Sequence, residues 1–405
     1  MDNITTLLMF DAHLRKKLLA QVGKLGFVTD EKGYLAPRSD GKKALRTLHS
    51  FKRNALLERE REFVQSEWPR LRRYFANGTD VEPEKIQPRL ELIEANTWQS
   101  RLFRLASLTW SVPVSQGYGR RMRFLVWDDN NQRLLGLIAL GDPVFNLRVR
   151  DEEIGWNSKD RGKRLVNVFD AYVLGALPPY NLLLGGKIVA SLLKTKEMRN
   201  AFNARYSRTK GIISEKRKHP ALVLITTTSA LGRSSVYNRV TLQGRRILQS
   251  VGYTSGWGHF HIPDDLFSLI RKFLMARDDK YADNHQYGDG PNWKMRAVRK
   301  ALTLLGLNPN LLRHGVHREV FHCYVASNAK AILRGTAKKP RYDRLLGVTE
   351  VGRLAVDKWV KPRAARRPEY RLWRATALKR RLKPVTHGTK RTNVAREREK
   401  KYGAR

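Results

Sequence analysis

The sequence has little cysteine, few acidic residues and no long apolar run. Cys323 is the only cysteine, so no intrachain disulfide can form and a reducing compartment is expected. Its favoured role is that of a buried small hydrophobic residue, and the alternative is a reactive thiol beside His322. No run of about 18 apolar residues is present, and the opening segment lacks the cleavage site of a signal peptide. These absences predict a cytoplasmic protein without a membrane partner.

Basic residues dominate the charge of the chain. Lysine and arginine number 79 against 37 aspartate and glutamate residues, which gives a formal net charge of +42. A field of that size attracts polyanions, and DNA or RNA is favoured over an anionic membrane because no membrane segment is present. Hydrophobic residues make up 41% of the sequence, which is enough for a folded core. The charge is therefore expected to lie on the surface of a globular protein.

The first quarter of the chain carries a helical pattern. Apolar residues recur at helical spacing from Asp2 to Gly26 and predict an amphipathic helix that packs on the body. Two further helices are predicted, over residues 42–75 and 88–108. Residues 1–109 are therefore predicted to form a helical N-terminal region.

The periodicity changes after Arg121, where β-prone runs begin. Two such runs flank the turn at Asn130–Asn131 and predict a β-hairpin. A strand over 221–229 follows, and alternating large and small residues predict another strand over 256–261. Because strands alternate with helices, residues 110–335 are predicted to form an α/β core, a mixed sheet with flanking helices. The predicted helices of this core cover 159–174, 183–194, 242–251, 264–275 and 293–306.

A block from Trp110 to Trp293 is dense in glycine, arginine and aromatic residues. It contains the phrases GYGRRMRF, LIALGDPVFNL, RDEEIGW, LGALPPYNLLLGGK, TTTSALGRSSVYNRV, GYTSGWGHFHIP and YGDGPNWKMR. These phrases resemble the Druantia anti-phage defence protein A family. The resemblance implies a prokaryotic antiviral role and partners from the same defence system, including a large helicase-like component.

Two segments of this block are candidates for binding an anion. Gly185 and Gly186 precede Lys187 at a predicted helix start, where backbone N–H groups can hold a phosphate. The second segment follows the strand over 221–229, at the edge where α/β sheets present ligand-binding groups. Its alternative role is a hydrogen-bonded turn. Both segments are predicted to line one pocket, with the second contributing Arg233, Ser235, Tyr237 and Arg239.

The order of elements in the core also resembles the acetyltransferase superfamily that binds acetyl-coenzyme A. That resemblance implies a second possible function, an acyltransferase-like enzyme, with coenzyme A as its cofactor. The superfamily's glycine-rich phosphate loop is missing from this sequence. The residues themselves predict no cofactor, and catalytic residues stay unassigned.

Histidines and carboxylates raise the question of a metal site. His259 and His261 lie on one face of their predicted strand, where they could bind a metal or transfer protons. The cluster His314, His317, His322 and Cys323 does not follow a standard zinc spacing, so core or surface histidines are expected and no metal is predicted. A metal-dependent nuclease is a third possible function. Its candidate ligands are Asp128, Asp129, Asp142, Asp151, Glu152, Glu153 and Asp170.

The chain ends in a basic extension, predicted over 336–405. Residues 358–405 contain 18 lysines or arginines against three acidic residues, so this part is predicted to be flexible and to order on a polyanion. Tyr370, Trp373 and Tyr402 lie among the basic residues and suit base stacking, while the alternative is a solvated tail that aids solubility. The candidate nucleic-acid contacts are Arg120, Arg121, Arg366, Arg367, Lys379, Arg380 and Arg381.

Overall fold

A seven-stranded mixed β-sheet with helices on both faces forms the centre of the protein. The computed structural model describes residues 3–25, 27–29, 31, 33–37, 41–115, 117, 119–208, 219–259, 261–283 and 291–384. The strands of this part are β1 (Phe27–Thr29), β2 (Leu35–Pro37), β3 (Pro88–Leu92), β4 (Arg121–Asp128), β5 (Arg133–Gly141), β6 (Val168–Ala176), β7 (Leu224–Thr228), β8 (Thr241–Leu242), β9 (Arg245–Arg246), β10 (Gln249–Tyr253) and β11 (Glu319–Tyr324).

The large sheet has the strand order β10-β11-β7-β6-β5-β4-β3. Its pairs are antiparallel except for β6 and β7, which run parallel. Two small hairpins, β1–β2 and β8–β9, lie outside it. The predicted α/β fold with a mixed sheet and flanking helices is confirmed.

The helices cover both faces of the sheet and its ends. Those of the described residues are α1 (Asn3–Lys24), α2 (Lys42–Arg59), α3 (Arg61–Leu71), α4 (Trp98–Leu108), α5 (Arg148–Ile154), α6 (Ser158–Arg164), α7 (Gly185–Ser191), α8 (Lys196–Tyr206), α9 (Asp264–Met275), α10 (Pro291–Leu304), α11 (Ala329–Arg334), α12 (Val348–Ala355), α13 (Lys361–Arg366) and α14 (Ala377–Arg381). A π-helical turn, Val356–Val360, joins α12 to α13.

The predicted hairpin at 121–141 is confirmed as β4 and β5, the centre of one half of the sheet. Alternation along β4 sends Phe124 and Val126 to one face and Leu125 and Trp127 to the other. The first face packs against α7 and α12, and the second against α3, α4 and α14. A sheet that is apolar on both faces needs cover on both, which explains the three-layer arrangement.

Four segments differ from their predicted structure. Residues 88–92 form the edge strand β3 instead of a helix, so a strand from the N-terminal region completes the sheet of the core. The predicted helix over 159–174 ends early, and its second half is β6. Residues 242–251 form short strands. The predicted strand over 256–261 is absent from its described residues except for a single bridge between Trp257 and Arg313.

The C-terminal extension packs on the body as far as the structure describes it. Trp359, Val360 and Tyr370 are buried in the core on one face of the sheet, and Leu378 and Leu382 in the core on the other face. The prediction of a flexible tail from residue 358 is therefore wrong for 358–384, because apolar residues at helical spacing anchor this segment. Residues 385–405 lie outside the described residues.

A second, smaller core lies beside the sheet. The helix α1, confirmed within its predicted range, buries Leu14 and Leu18 against α9 and α10. The β1–β2 hairpin contributes Phe27 and Leu35 to the same cluster. In the part of the chain that the structure covers, no helix is long and apolar enough to cross a bilayer.

Candidate functional site

The two segments predicted to bind an anion are neighbours in the structure. A Cβ atom added to Gly186 would lie 3.8 Å from Val236 Cγ1, which places the start of α7 against the 232–239 loop. Burial lowers the pKa of the Lys187 ammonium, and the nearby charges of Arg239 and Lys358 lower it further. Arg239 and Lys358, which come from two other segments, therefore lie close enough to Lys187 to repel it.

A buried carboxylate holds the 232–239 loop in place. Glu319, at the start of β11, is almost fully buried. Its Oε2 accepts a hydrogen bond from the backbone N–H of Ser234 at 2.8 Å, and Asn238 Nδ2 and Ser250 Oγ donate to its oxygens at 2.9 Å. A buried carboxylate is costly unless its oxygens accept such hydrogen bonds. The backbone that carries Arg233 and Arg239 is therefore fixed from the sheet side.

Tyr237 supports the loop, and its hydroxyl does not face solvent. The hydroxyl donates to the carbonyl oxygen of Leu174 at 2.8 Å, and the ring packs edge-on against Phe321 at 5.5 Å. Burial raises the pKa of Tyr237. Ser235 and Arg233, in contrast, are exposed.

The two glycines before Lys187 have different roles. A Cβ at Gly185 would lie 2.7 Å from the carbonyl oxygen of Tyr180, so glycine is required there by the fold. Gly186 has more room, its nearest neighbour being Val236. The Lys187 ammonium lies 5.0 Å above the ring of Trp359, which links α7 to the C-terminal extension.

Together these segments form a basic face, defined here by Lys187, Arg239 and Lys358. Lys358 Nζ donates to the carbonyl oxygen of Thr241 at 2.6 Å, so the β8–β9 hairpin borders the face with two exposed arginines of β9. The sequence could not indicate that Lys358 belongs here, because it lies far from Lys187 along the chain.

The other predicted nucleic-acid contacts divide into two groups. Arg120 is a structural residue: it pairs with Asp142 at 2.8 Å, donates to the carbonyl oxygen of Val166 and lies over the ring of Phe169. The remaining residues stay exposed on the surface. They are Arg121, Arg366, Arg367, Lys379, Arg380 and Arg381.

Protein donors already bind the carboxylates considered for a metal. Arg150 and Arg161 hold Asp151, Arg148 holds Glu152 and Lys330 holds Glu153. Within the described residues, no three His, Cys, Asp or Glu side chains are placed to hold a metal ion. The other pairs are Asp128 with Tyr180, Asp129 with Arg89, Asp142 with Arg120, and Asp170 with Thr226.

A polar row across the sheet was not predicted. Asp170 on β6 is in register with Thr226 on β7, which is in register with His322 on β11. Thr226 Oγ1 donates to Asp170 Oδ1 at 2.6 Å. Burial raises the pKa of Asp170 to about 6, against the opposing effects of the Thr226 hydrogen bond and Arg150. Strand register, which local sequence patterns do not encode, brings these residues together.

The row continues from His322 into a chain of hydrogen bonds. His322 Nδ1 and the Tyr324 hydroxyl are 3.1 Å apart, and this hydroxyl donates to Glu153 Oε1 at 3.3 Å. His322 is fully buried, and burial lowers its pKa to about 4. The expectation of core histidines is confirmed for His322, and also for His261 and His314. Cys323 is buried as predicted.

The substitution Asp170→Asn is expected to stabilise the protein at neutral pH. The pKa of Asp170 is raised in the folded state, so its contribution to stability is present below about pH 4 and is lost as the pH rises to about 6. Asparagine keeps an acceptor for Thr226 without the charge. The expected gain in free energy of unfolding is about 1–3 kcal/mol at pH 7.5 and close to zero at pH 4, measured by urea denaturation.

Asp129→Asn is the control, because it breaks a surface pair with Arg89 and should give no gain. An equal gain from both substitutions would contradict the assignment of the effect to the buried charge of Asp170.

Comparison with known proteins gives two matches. A family model described as Druantia protein DruA matches residues 39–335. A curated protein named Druantia protein DruA, from Escherichia coli (strain UMEA 4076-1), is 50% identical over 368 residues, which cover 91% of each chain. No solved structure matches the chain.

Proposed function

The chain belongs to the Druantia DruA family of anti-phage defence components, and from this premise we propose that it engages nucleic acid through the basic face. The proposal rests on one observation above all. Lys187, Arg239 and Lys358 lie together, and among the described residues no carboxylate is one of the charges that act on Lys187.

Such an arrangement is costly unless an anion binds to it. Like charges held by separate, well-packed segments repel one another, and the repulsion falls when a polyanion supplies the missing negative charge. A phosphate backbone offers regularly spaced charges and needs no specific pocket. The basic face therefore suits contacts to the backbone, which predicts little preference for sequence.

The net charge of the chain extends the attraction beyond this face. A formal charge of +42 draws polyanions from a distance and raises the rate of encounter. We propose that the protein acts in the cytoplasm with other proteins of the same defence system. Any nucleotide-driven motor is assigned to a partner, because this sequence lacks the phosphate-binding loop pattern G-x-x-x-x-G-K-[ST].

A salt titration tests the proposal. Binding to fluorescent DNA and RNA of mixed sequence is expected to weaken steeply with salt. For duplex DNA, the variant Lys187→Gln/Arg239→Gln/Lys358→Gln should make the slope of log K against log salt shallower by about 2.7, at ~0.9 per lost phosphate contact. The same variant should lose protection against phage.

The control variant removes the same charge elsewhere. Arg15→Gln/Lys16→Gln/Lys17→Gln changes three exposed cations of α1 and also reduces the net charge from +42 by 3 to +39. Its slope should stay close to that of the unchanged protein. Equal slopes for the two variants would show that total charge, not the basic face, drives binding. Affinity that stays flat across the titration would defeat the proposal.

A further inference from the structure

A second basic feature lies at the end of α3. It is a cavity of about 200 Å³ between the turn after α3 and the segment that precedes α14. Arginines and aromatic residues line most of it, and we call it the arginine pocket. The lining side chains that bear on ligand binding are Trp68, Arg72, Arg73, Phe75, Arg133 and Thr376.

The arginine pocket carries an excess of positive charge. Three arginines line it, whereas Asp80 is its one acidic lining residue among the described residues. Asp80 already accepts a hydrogen bond from the backbone N–H of Asn77 at 2.8 Å, and Arg133 Nε lies 3.8 Å from its Oδ2. Arg133 Nε is buried and has no hydrogen-bond partner in the part of the chain that the structure describes. Because Arg133 lies against Asp80, the excess of positive charge among the lining residues comes from Arg72 and Arg73.

The size of the cavity limits what can enter. Its volume of about 200 Å³ is below the ~300–1,000 Å³ of sites for drug-sized ligands. A cofactor as large as coenzyme A is too big. A phosphate group with part of a sugar fits the volume, and Thr376, which carries a hydroxyl, is among the lining residues.

Aromatic rings continue from the pocket to the surface. Trp68 and Phe75 are stacked, with ring centroids 6.0 Å apart, and both line the cavity. Next to them, Tyr74 stacks on Trp98 at 4.9 Å with an angle of 16°, and Trp98 is 36% exposed. Arg73 Nη2 donates to the Tyr74 hydroxyl at 3.1 Å, so one arginine touches both the pocket and the stack.

We infer that the arginine pocket binds the terminal phosphate of a nucleic-acid strand, with the end base against the Tyr74–Trp98 stack. Three arginines against one carboxylate leave a charge of about +2, which matches a terminal phosphate at about −1.5 to −2 better than a backbone phosphodiester. Exposed aromatic rings beside arginines are the usual platform for an unpaired base. The inference rests on the proposed function, since it adds strand ends to the nucleic acid that the basic face engages.

Strands that differ only at their ends test the inference. Single-stranded oligonucleotides with a 5′-phosphate, a 3′-phosphate or hydroxyls at both ends are compared by fluorescence anisotropy. We expect one phosphorylated end to bind at least about tenfold more tightly than the hydroxyl strand, in the range of charge-assisted contacts. Arg72→Gln/Arg73→Gln should abolish that preference and leave affinity for the hydroxyl strand within about twofold.

The basic-face variant Lys187→Gln/Arg239→Gln/Lys358→Gln is the matched comparison. It should weaken binding of every strand and keep the preference for a phosphorylated end. Equal binding of phosphorylated and hydroxyl strands overturns the inference and leaves the proposed function standing. Failure of the wild-type protein to bind any strand overturns both. A free mononucleotide that binds as tightly as the phosphorylated strand would identify a small molecule as the ligand and overturn the assignment to strand ends.

Discussion

A chain that ends at residue 357 is expected to lose the native fold. The removed segment buries Trp359, Val360 and Tyr370 on one face of the sheet and Leu378 and Leu382 on the other. Loss of one large buried side chain costs about 2–5 kcal/mol, and a whole domain is stable by only about 5–15 kcal/mol. Loss of five such side chains totals about 10–25 kcal/mol, which equals or exceeds the stability available. Circular dichroism with heating should show no cooperative transition for this chain.

A chain that ends at Pro384 is the control for that truncation. It keeps every buried contact that the structure describes for the extension. Its thermal transition should therefore stay within a few degrees of the full chain. A cooperative transition of normal enthalpy in the chain that ends at residue 357 would show that residues 358–384 are not part of the core.

The second large effect is expected for Arg150→Ala. Arg150 is fully buried in α5, where its guanidinium pairs with Asp151 at 2.7 Å and donates to the carbonyl oxygens of Val144 and Phe145 at 2.8 Å. Removing it leaves a buried carboxylate and two carbonyl groups with fewer donors. Loss of one partner of a buried ion pair costs about 3–5 kcal/mol, which urea denaturation should show as a lower midpoint with an unchanged slope.

Arg148 offers a matched control on the same helix. It pairs with Glu152 at 2.7 Å, but both side chains are exposed. An exposed pair four residues apart adds little to stability, because solvent and salt screen the two charges. If Arg148→Ala and Arg150→Ala had similar effects, the buried pair would not be the cause of the larger one.

The fold class followed from the sequence because alternation and helical spacing are local. The hairpin of β4 and β5 has β-prone runs around a polar turn, which is a short-range signal. Residues 168–174 were predicted as helix because their apolar residues also fit a helical face, yet they pair with β5 and β7. Short apolar runs suit either structure, and pairing decides between them.

The candidate sites depended on tertiary structure to a greater degree. The glycines before Lys187 and the arginines after β7 were predicted as one site, and the structure brings those segments together. The contribution of Lys358 to the basic face was not predicted, and neither was the polar row from Asp170 to His322. Each joins residues that are far apart in the chain, and strand order and register set such contacts.

The mixing of early and late segments in one core has a consequence for biosynthesis. Trp68 and Leu71 of α3 share their apolar cluster with Leu378 and Leu382. A ribosome adds about 5–20 residues per second, so roughly 15–60 s separate the emergence of these two parts of the cluster. During that time the apolar face of α3 lacks its final cover and is a target for chaperones and proteases. An incomplete translation product therefore exposes an unfinished core, and the cell acquires a folded defence protein only when synthesis has passed the last helices.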